Sequence, residues 1–258
     1  MHIASANIDN SAILNDYTRL IGVGIQFAFQ PLVNLSHARI AGYEALVRGH
    51  DGQSAGAVIA GVRPENLALF DQACRTRALQ DAARIGVRGD LHLNCTEVTP
   101  DNLAMTIDKS VMDAETCDIA ANRVVLEFSS LERLGNPRQL ATVRQRANAA
   151  GFRVLADNFG LGEAGLKRLV VFQPEFIKLD RELCSNIDRS QRRQAMVLGI
   201  IAACRSLNIE VIASGIERAE EVEWLHEQAG VDRFQGYFFA RPQLMAAPSV
   251  DRGLLDND

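Results

Sequence analysis

Several features are scarce or missing in the 258-residue sequence, and each absence narrows the class of protein. No apolar run reaches the roughly 18 residues that a membrane span requires. The 27 Lys and Arg residues are outnumbered by 32 Asp and Glu residues and form no basic run. Residues 1–16 lack the basic start and the apolar stretch of a secretory signal. We therefore expect neither a membrane protein nor one whose main partner is nucleic acid.

Cysteine pairs and the common catalytic motifs are missing as well. The five Cys residues are widely spaced and include no Cys-x-x-Cys pair, so we expect reduced thiols in a cytoplasmic protein. The five His residues show no spacing typical of a zinc site. The chain has no Gly-x-Gly-x-x-Gly or Gly-x-x-x-x-Gly-Lys loop for a nucleotide. It also has no Gly-x-Ser-x-Gly elbow for a hydrolytic triad.

What the sequence does contain is an alternation of short β-rich runs with amphipathic helical patterns. The candidate strands are IQFAFQPLV, ARIAGYEALV, LHLN, RVVLEFS, RVLAD, FIKLD, EVIAS and DRFQGYFF. Helical periodicity covers residues 64–84, 131–150, 189–207 and 218–229. Eight strands with mostly helical connections predict parallel β/α units. We predict an α/β protein with one TIM-like (β/α)8 barrel over residues 25–245, an N-terminal extension over 1–24 and a tail over 246–258.

Chemically useful side chains follow the apolar part of several candidate strands. They are Asn94, Glu127, Asp157, Lys178 with Asp180, Ser214 and Gln235. One such residue alone is more often a turn former or a helix cap. Caps do not explain a Glu, a Lys and a Gln in the same pattern, and barrel enzymes build their sites at the C-terminal strand ends. We therefore predict that these side chains meet at one mouth of the barrel.

Four of the candidate residues form an all-oxygen set, namely Glu44, Asn94, Glu127 and Asp157. Hard cations such as Mg²⁺ or Mn²⁺ prefer these ligands. A lysine beside them, Lys178, suits an anionic ligand that carries phosphate.

These residues lie in segments that resemble the EAL domains, which are bacterial cyclic di-GMP phosphodiesterases. The matching segments, between residues 27 and 242, are FQPLV, YEALVRG, LHLN, VVLEFSS, VLADNFGLGEAGL, FIKLD, VIASGIE and FQGYFFARP. Residues 172–258 look most like EAL domains attached to flavin-binding BLUF photoreceptors. The resemblance implies a TIM-like barrel whose first strand is antiparallel to the others.

The resemblance also implies roles for individual residues. Glu44, Asn94, Glu127 and Asp157 correspond to metal ligands, while Lys178 and Gln235 match residues that hold the attacking water. The positions around the dinucleotide are Gln30, Leu46, Arg48, Asp180, Glu217, Phe239 and Pro242. Arg48 suits a phosphate, Asp180 and Glu217 can accept from a guanine edge, and Phe239 can stack on a base.

Three departures from the active family pattern concern catalysis. Asn158 stands where active members have the second Asp of a pair that ligates a second metal. Ser214 stands where they have the Glu that is assigned the role of general base. Ser130 stands where a Glu supports the loop after the double Asp. These changes predict at most weakly bound Mg²⁺ or Mn²⁺ and inefficient hydrolysis.

Three functions remain open from the sequence. The first is a degenerate EAL domain that binds cyclic di-GMP without cleaving it and reports to an unidentified protein partner. The second is a module that binds only a protein, such as a transcriptional regulator. The third is an active or weakly active phosphodiesterase. We also expect a homodimer, because EAL domains associate through helices near residues 157–169, where the chain has apolar Leu161, Leu166 and Leu169.

Overall fold

The computed structural model of the chain describes residues 24–129, 131–160 and 165–255. Eight strands of this part form the β-barrel. Their bounds are β1 Ile25–Asn34, β2 Arg39–Gly49, β3 Asp90–Asn94, β4 Val124–Phe128, β5 Arg153–Phe159, β6 Phe176–Leu179, β7 Glu210–Ala213 and β8 Arg233–Phe234. A ninth short strand, β9 Gln243–Leu244, follows them.

The strand pairing closes the barrel through β1. Strands β2 to β8 pair in sequence order and are parallel to one another. Strand β1 is antiparallel to both β2 and β8, so it fills the gap between the first and the last parallel strand. The predicted TIM-like barrel with an antiparallel first strand is confirmed.

Helices connect most of the parallel strands. Their bounds are α1 Ala55–Ala60, α2 Leu67–Ile85, α3 Leu103–Thr116, α4 Pro137–Ala149, α5 Gly165–Phe172, α6 Arg181–Cys184, α7 Gln191–Ser206 and α8 Ala219–Glu223. The sequence predicted one helix over 131–150, but the structure has a 3₁₀ turn, Leu131–Leu134, followed by α4. The break occurs because Gly135 adopts a φ of 91° and Asn136 caps α4 ahead of Pro137.

The end of the barrel also differs from the prediction. The run DRFQGYFF was expected to be one strand, but only Arg233 and Phe234 pair with neighbours as a strand. The chain then wraps around Ile216, whose N–H donates to the carbonyl of Gln235. A Cβ at Gly236 would lie 2.0 Å from the carbonyl oxygen of Ile216, so the close approach requires glycine.

Alternation along the strands builds two layers inside the barrel. Leu32, Val125, Leu155, Phe176 and Ile212 pack together as a buried apolar cluster. Because side chains alternate between the two faces of a strand, the residue two positions later points the same way. On β4, β5 and β6 those residues are Glu127, Asp157 and Lys178. The polar layer therefore lies above the apolar layer, at the C-terminal ends of the strands, and the larger core packs between strands and helices.

Two expectations from composition can be compared with the described residues. Among them, no helix is both long enough and apolar enough to cross a membrane. All five Cys residues are free thiols, and Cys95, Cys184 and Cys204 are buried.

Candidate active site at the barrel mouth

The centre of the polar layer is the ammonium group of Lys178. Its Nζ lies 3.0 Å from Oε2 of Glu44, and 2.8 and 2.7 Å from the two carboxylate oxygens of Glu127. Oδ1 of Asp157 is 3.9 Å away. Three acidic residues from β2, β4 and β5 thus surround one lysine from β6, so these predicted site residues do come together.

Two side-chain amides also donate to the Glu44 carboxylate. Asn94, at the end of β3, donates from Nδ2 to Oε1 of Glu44 over 3.3 Å. Gln235, after β8, donates from Nε2 to Oε2 of Glu44 over 2.7 Å. Gln30, on β1, donates in turn to the carbonyl of Ala240. The amides of Asn94 and Gln235 therefore fix the orientation of Glu44.

His92 belongs to this cluster although the sequence analysis did not select it. Its Nδ1 lies 2.7 Å from Oε1 of Glu127, and the side chain is buried. Burial lowers the pKa of His92 to about 3, so the ring is neutral and can donate from Nδ1. The signal was available, because His92 stands two residues before Asn94 on the same strand and therefore faces the same interior.

The acidic groups respond differently to their surroundings. Burial raises the pKa of Glu127 to about 7 even though Lys178 opposes the shift, and burial raises the pKa of Asp157 to about 7. Burial also acts against the ionised form of Glu44, but Lys178 and the amide of Gln235 outweigh it and lower its pKa. Burial opposes the charged form of Lys178, yet the three carboxylates raise its pKa. Lys178 therefore remains cationic.

The oxygen donors around Lys178 bear on whether the site can hold a divalent cation. Among the described residues, no group of three or more His, Cys, Asp or Glu side chains is spaced to hold a metal ion, and the ammonium of Lys178 contacts all three acids. The chemistry of the donors nevertheless fits, since all the groups that could bind are oxygens. Above the pKa of about 7 of Glu127 and Asp157, the three carboxylates carry more negative charge than the one ammonium of Lys178 balances, which favours a divalent ion.

A bulge in β5 positions Asp157 and Asn158. The register with β6 shifts between Ala156 and Phe159, so that two residues of β5, Asp157 and Asn158, stand opposite the single residue Lys178 of β6. Asn158 adopts a φ of 52°, a left-handed conformation that Asn and Asp accept more readily than most residues. Asp157 turns into the polar layer and the Asn158 side chain is exposed at the mouth. Bulges often redirect side chains next to functional sites.

A cavity of about 260 Å³ opens above this cluster. Its lining includes Glu44, Asp157, Asn158, Lys178, Arg181, Ser214, Glu217, Gln235 and Tyr237. The Ser214 hydroxyl donates to the carbonyl of Leu179 over 2.7 Å. It is thus engaged with the backbone at the position predicted for the general base. Ser130, Leu161 and the side chain of Leu166 lie outside the described residues.

The residues predicted to surround a dinucleotide are distributed around the mouth. Glu217 forms an ion pair with Arg181 over 2.8 Å. Asp180 accepts from the backbone N–H of Glu182 and so caps α6. Arg48 is half-buried near the end of β2 and donates to the carbonyl of Val47.

Three further residues predicted to surround the dinucleotide differ in how accessible their side chains are to a ligand. Leu46 lines a second, largely apolar cavity of about 200 Å³ between β2 and α2, and Pro242 is half-buried. Phe239 is only 5% exposed and packs against Phe234 and Phe238. Its ring therefore has no open face for the predicted stacking, whereas Tyr237 lines the first cavity and is 46% exposed.

Comparison with known proteins identifies relatives over most of the chain. The family model described as the EAL domain matches residues 17–242. A curated relative, the blue light- and temperature-regulated antirepressor BluF of Escherichia coli K12, is 32% identical over 227 residues. These make up 87% of this chain and 56% of that protein. The chain thus spans little more than half of that relative.

Solved structures agree with these sequence matches. A standalone EAL protein from Vibrio cholerae O395 in its cyclic di-GMP-bound form is 34% identical, with a TM-score of 0.84. The match covers 91% of this chain and 99% of that one. The manganese and cyclic di-GMP complex of Klebsiella pneumoniae BlrP1 at pH 6 is 30% identical, with a TM-score of 0.80. It covers 89% of this chain and 58% of that one.

Proposed function

The chain belongs to the EAL domain family, and we propose that it binds cyclic di-GMP at the barrel mouth without hydrolysing it efficiently and signals through a protein partner. We assign this role to a domain over residues 25–245. The bound dinucleotide in the Vibrio cholerae relative supports the ligand, and the antirepressor BluF supports a protein partner. Five free thiols are consistent with a reducing, cytoplasmic compartment.

The observation that carries this proposal is the neutral character of two positions in the cavity lining. Asn158 and Ser214 stand where active family members have carboxylates. An Asn oxygen is a weaker ligand than a carboxylate for a hard dication, and a serine hydroxyl is not a base of useful pKa near neutrality. The engagement of the Ser214 hydroxyl with Leu179 further removes it from proton transfer.

The retained residues supply binding rather than proton transfer. Glu44, Asn94, Glu127 and Asp157 would hold one Mg²⁺ or Mn²⁺ ion weakly. A bound divalent ion would polarise a phosphodiester and stabilise negative charge on its oxygens. The cation of Lys178 lowers the pKa of Glu44 and opposes the burial that raises the pKa of Glu127 and Asp157, so it favours the ionised forms that bind cations. The other residues assigned to the site would orient the ligand. None of the residues assigned here would act as the base that accepts a proton from water.

Replacing Arg48 by Ala tests ligand binding at the mouth. A charge-assisted contact to a phosphate contributes about 1.5–3 kcal/mol, so we expect Arg48→Ala to weaken cyclic di-GMP binding about 10- to 100-fold in isothermal titration calorimetry. Arg39→Ala is the matched control, because Arg39 is exposed at the opposite end of the same strand. No heat of binding for the unchanged protein, with or without Mg²⁺, would contradict the proposed ligand.

Self-association is a further part of the proposal. Helix α5 exposes Val170, and α7 exposes Met196 and Leu198, at 56, 53 and 43% of their surfaces. Exposed apolar side chains such as these occur at interaction surfaces. The resemblance places the family's dimer contacts in the same region as α5. We therefore propose that the chain forms a homodimer through α5.

Light scattering at micromolar concentration tests the dimer. We expect twice the chain mass of 28.3 kDa for the unchanged protein and for Met112→Glu, which changes an exposed residue of α3. Val170→Glu should give the monomer mass, because a buried unpaired charge at an interface is strongly unfavourable. A monomer for the unchanged protein would refute the assignment.

A further inference from the structure

Arg181 is the first residue of α6 and lines the same cavity as Asn158 and Ser214. We propose that Arg181 is a phosphate-binding residue, whose guanidinium neutralises one phosphodiester of the dinucleotide without a metal ion. The inference rests on the proposed binding of cyclic di-GMP and assigns a residue to which the sequence analysis gave no role.

The position of the Arg181 side chain is determined by the loop after β7. Gly215 has a φ of 71°, and a Cβ placed there would lie 2.6 Å from Cβ and 2.5 Å from Cγ of Arg181. The arginine stem therefore packs directly over the backbone beside Ser214. Its guanidinium ends at the mouth, where 61% of the side chain is exposed and Nη2 is 2.8 Å from Glu217.

The charges that line the cavity single out this residue. Lys178 is buried among Glu44, Glu127 and Asp157, so its positive charge is more than balanced. Asn158 and Ser214 are neutral. Among the described lining residues, Arg181 is the cation that faces the open side of the cavity, and a phosphodiester entering there requires a cationic partner.

The barrel topology places Arg181 opposite Arg48. In the closed order of eight strands, β2 and β6 are four positions apart and so face each other across the mouth. Arg48 is near the end of β2, and Arg181 follows β6. Cyclic di-GMP has two phosphodiesters on opposite sides of its ring. The two arginines can therefore each bind one phosphodiester. Two arginines on the same side of the mouth could not reach both phosphodiesters.

The Arg181 guanidinium, which is paired with Glu217, can exchange this carboxylate for a phosphate of the ligand. Both side chains of this pair are substantially exposed, at 61 and 45%, and exposed pairs contribute little to stability. When a guanine edge donates to Glu217, the guanidinium remains close by and can turn to the phosphate. A planar guanidinium can bind two phosphate oxygens at once, which an ammonium cannot.

Calorimetric titration of cyclic di-GMP into the full chain in EDTA tests the proposal. We expect the unchanged protein to bind in EDTA and Arg181→Ala to bind about 10- to 100-fold more weakly. Arg181→Lys should retain part of the affinity because it keeps the charge. Arg189→Ala is the control, since Arg189 is an exposed arginine paired with Asp188 that does not line the cavity.

Salt dependence separates a phosphate contact from a structural role. Added NaCl screens exposed charge pairs, so the affinity of the unchanged protein should fall more steeply with salt than that of Arg181→Ala. Equal affinities of the unchanged protein and Arg181→Ala, or binding of the unchanged protein only with Mg²⁺, would overturn this inference alone. No binding under either condition would overturn the proposed function as well.

Discussion

Changing Asn158 to Asp and Ser214 to Glu together is expected to give metal-dependent hydrolysis of cyclic di-GMP. The first change adds a carboxylate next to Asp157, at a φ of 52° that Asp also tolerates. The second adds a group that can accept a proton from water in the half-buried lining of the cavity. A general base alone typically contributes about 10²–10⁴-fold. We expect an increase of at least about 100-fold over the unchanged protein with Mg²⁺ or Mn²⁺, measured as linear dinucleotide by chromatography.

The single variants show whether the two positions act together. Because a metal ligand and a base belong to one catalytic unit, either change alone should give much less than the pair. Asn208→Asp serves as the control, since Asn208 has a φ of 56° and is exposed just before β7, at the opposite end of the barrel. Rapid hydrolysis by the unchanged protein would show that another group supplies the base. An inactive double variant with intact ligand binding would show that the two carboxylates are not sufficient.

The sequence was most informative where a regular pattern repeats along the chain. The alternation of strands and helices predicted the barrel, and side chains such as Glu127 and Lys178 could be placed at its mouth because every parallel strand ends on the same face. His92 was missed because a histidine inside a strand has no motif of its own. Only the alternation from Asn94 points it into the barrel.

Local irregularities could not be predicted in the same way. The end of the last strand depends on the approach of Gly236 to Ile216, a contact between residues 20 positions apart in the sequence. Phe239 was expected at the ligand, but the turn that follows Gly236 packs its ring against Phe234. Likewise, nothing in the sequence near Arg181 shows that its stem lies across Gly215. Such features are set by tertiary contacts rather than by local pattern.

Replacing Lys178 by Met is expected to cause the largest loss of stability of any single change in the site. The side chain is 4% exposed, and Glu127 beside it is fully buried. Removing one partner of a buried ion pair typically costs about 3–5 kcal/mol, because the other charge stays buried without compensation. We expect a loss of this size in the free energy of unfolding, measured by urea denaturation at pH 8 in EDTA. Lys167→Met is the control, since Lys167 is an exposed lysine of α5.

Charge and packing contributions to that loss can be separated by removing the acid as well. Burial already raises the pKa of Glu127 to about 7 with Lys178 present. Without Lys178 its pKa should rise further, so the folded state binds more protons than the unfolded state across neutral pH. The stability of Lys178→Met should therefore fall as the pH rises from about 5 to 8. Adding Glu127→Gln should recover part of the loss and remove most of this pH dependence. An equal loss at both pH values, unchanged by Glu127→Gln, would attribute the effect to packing rather than to the buried charge.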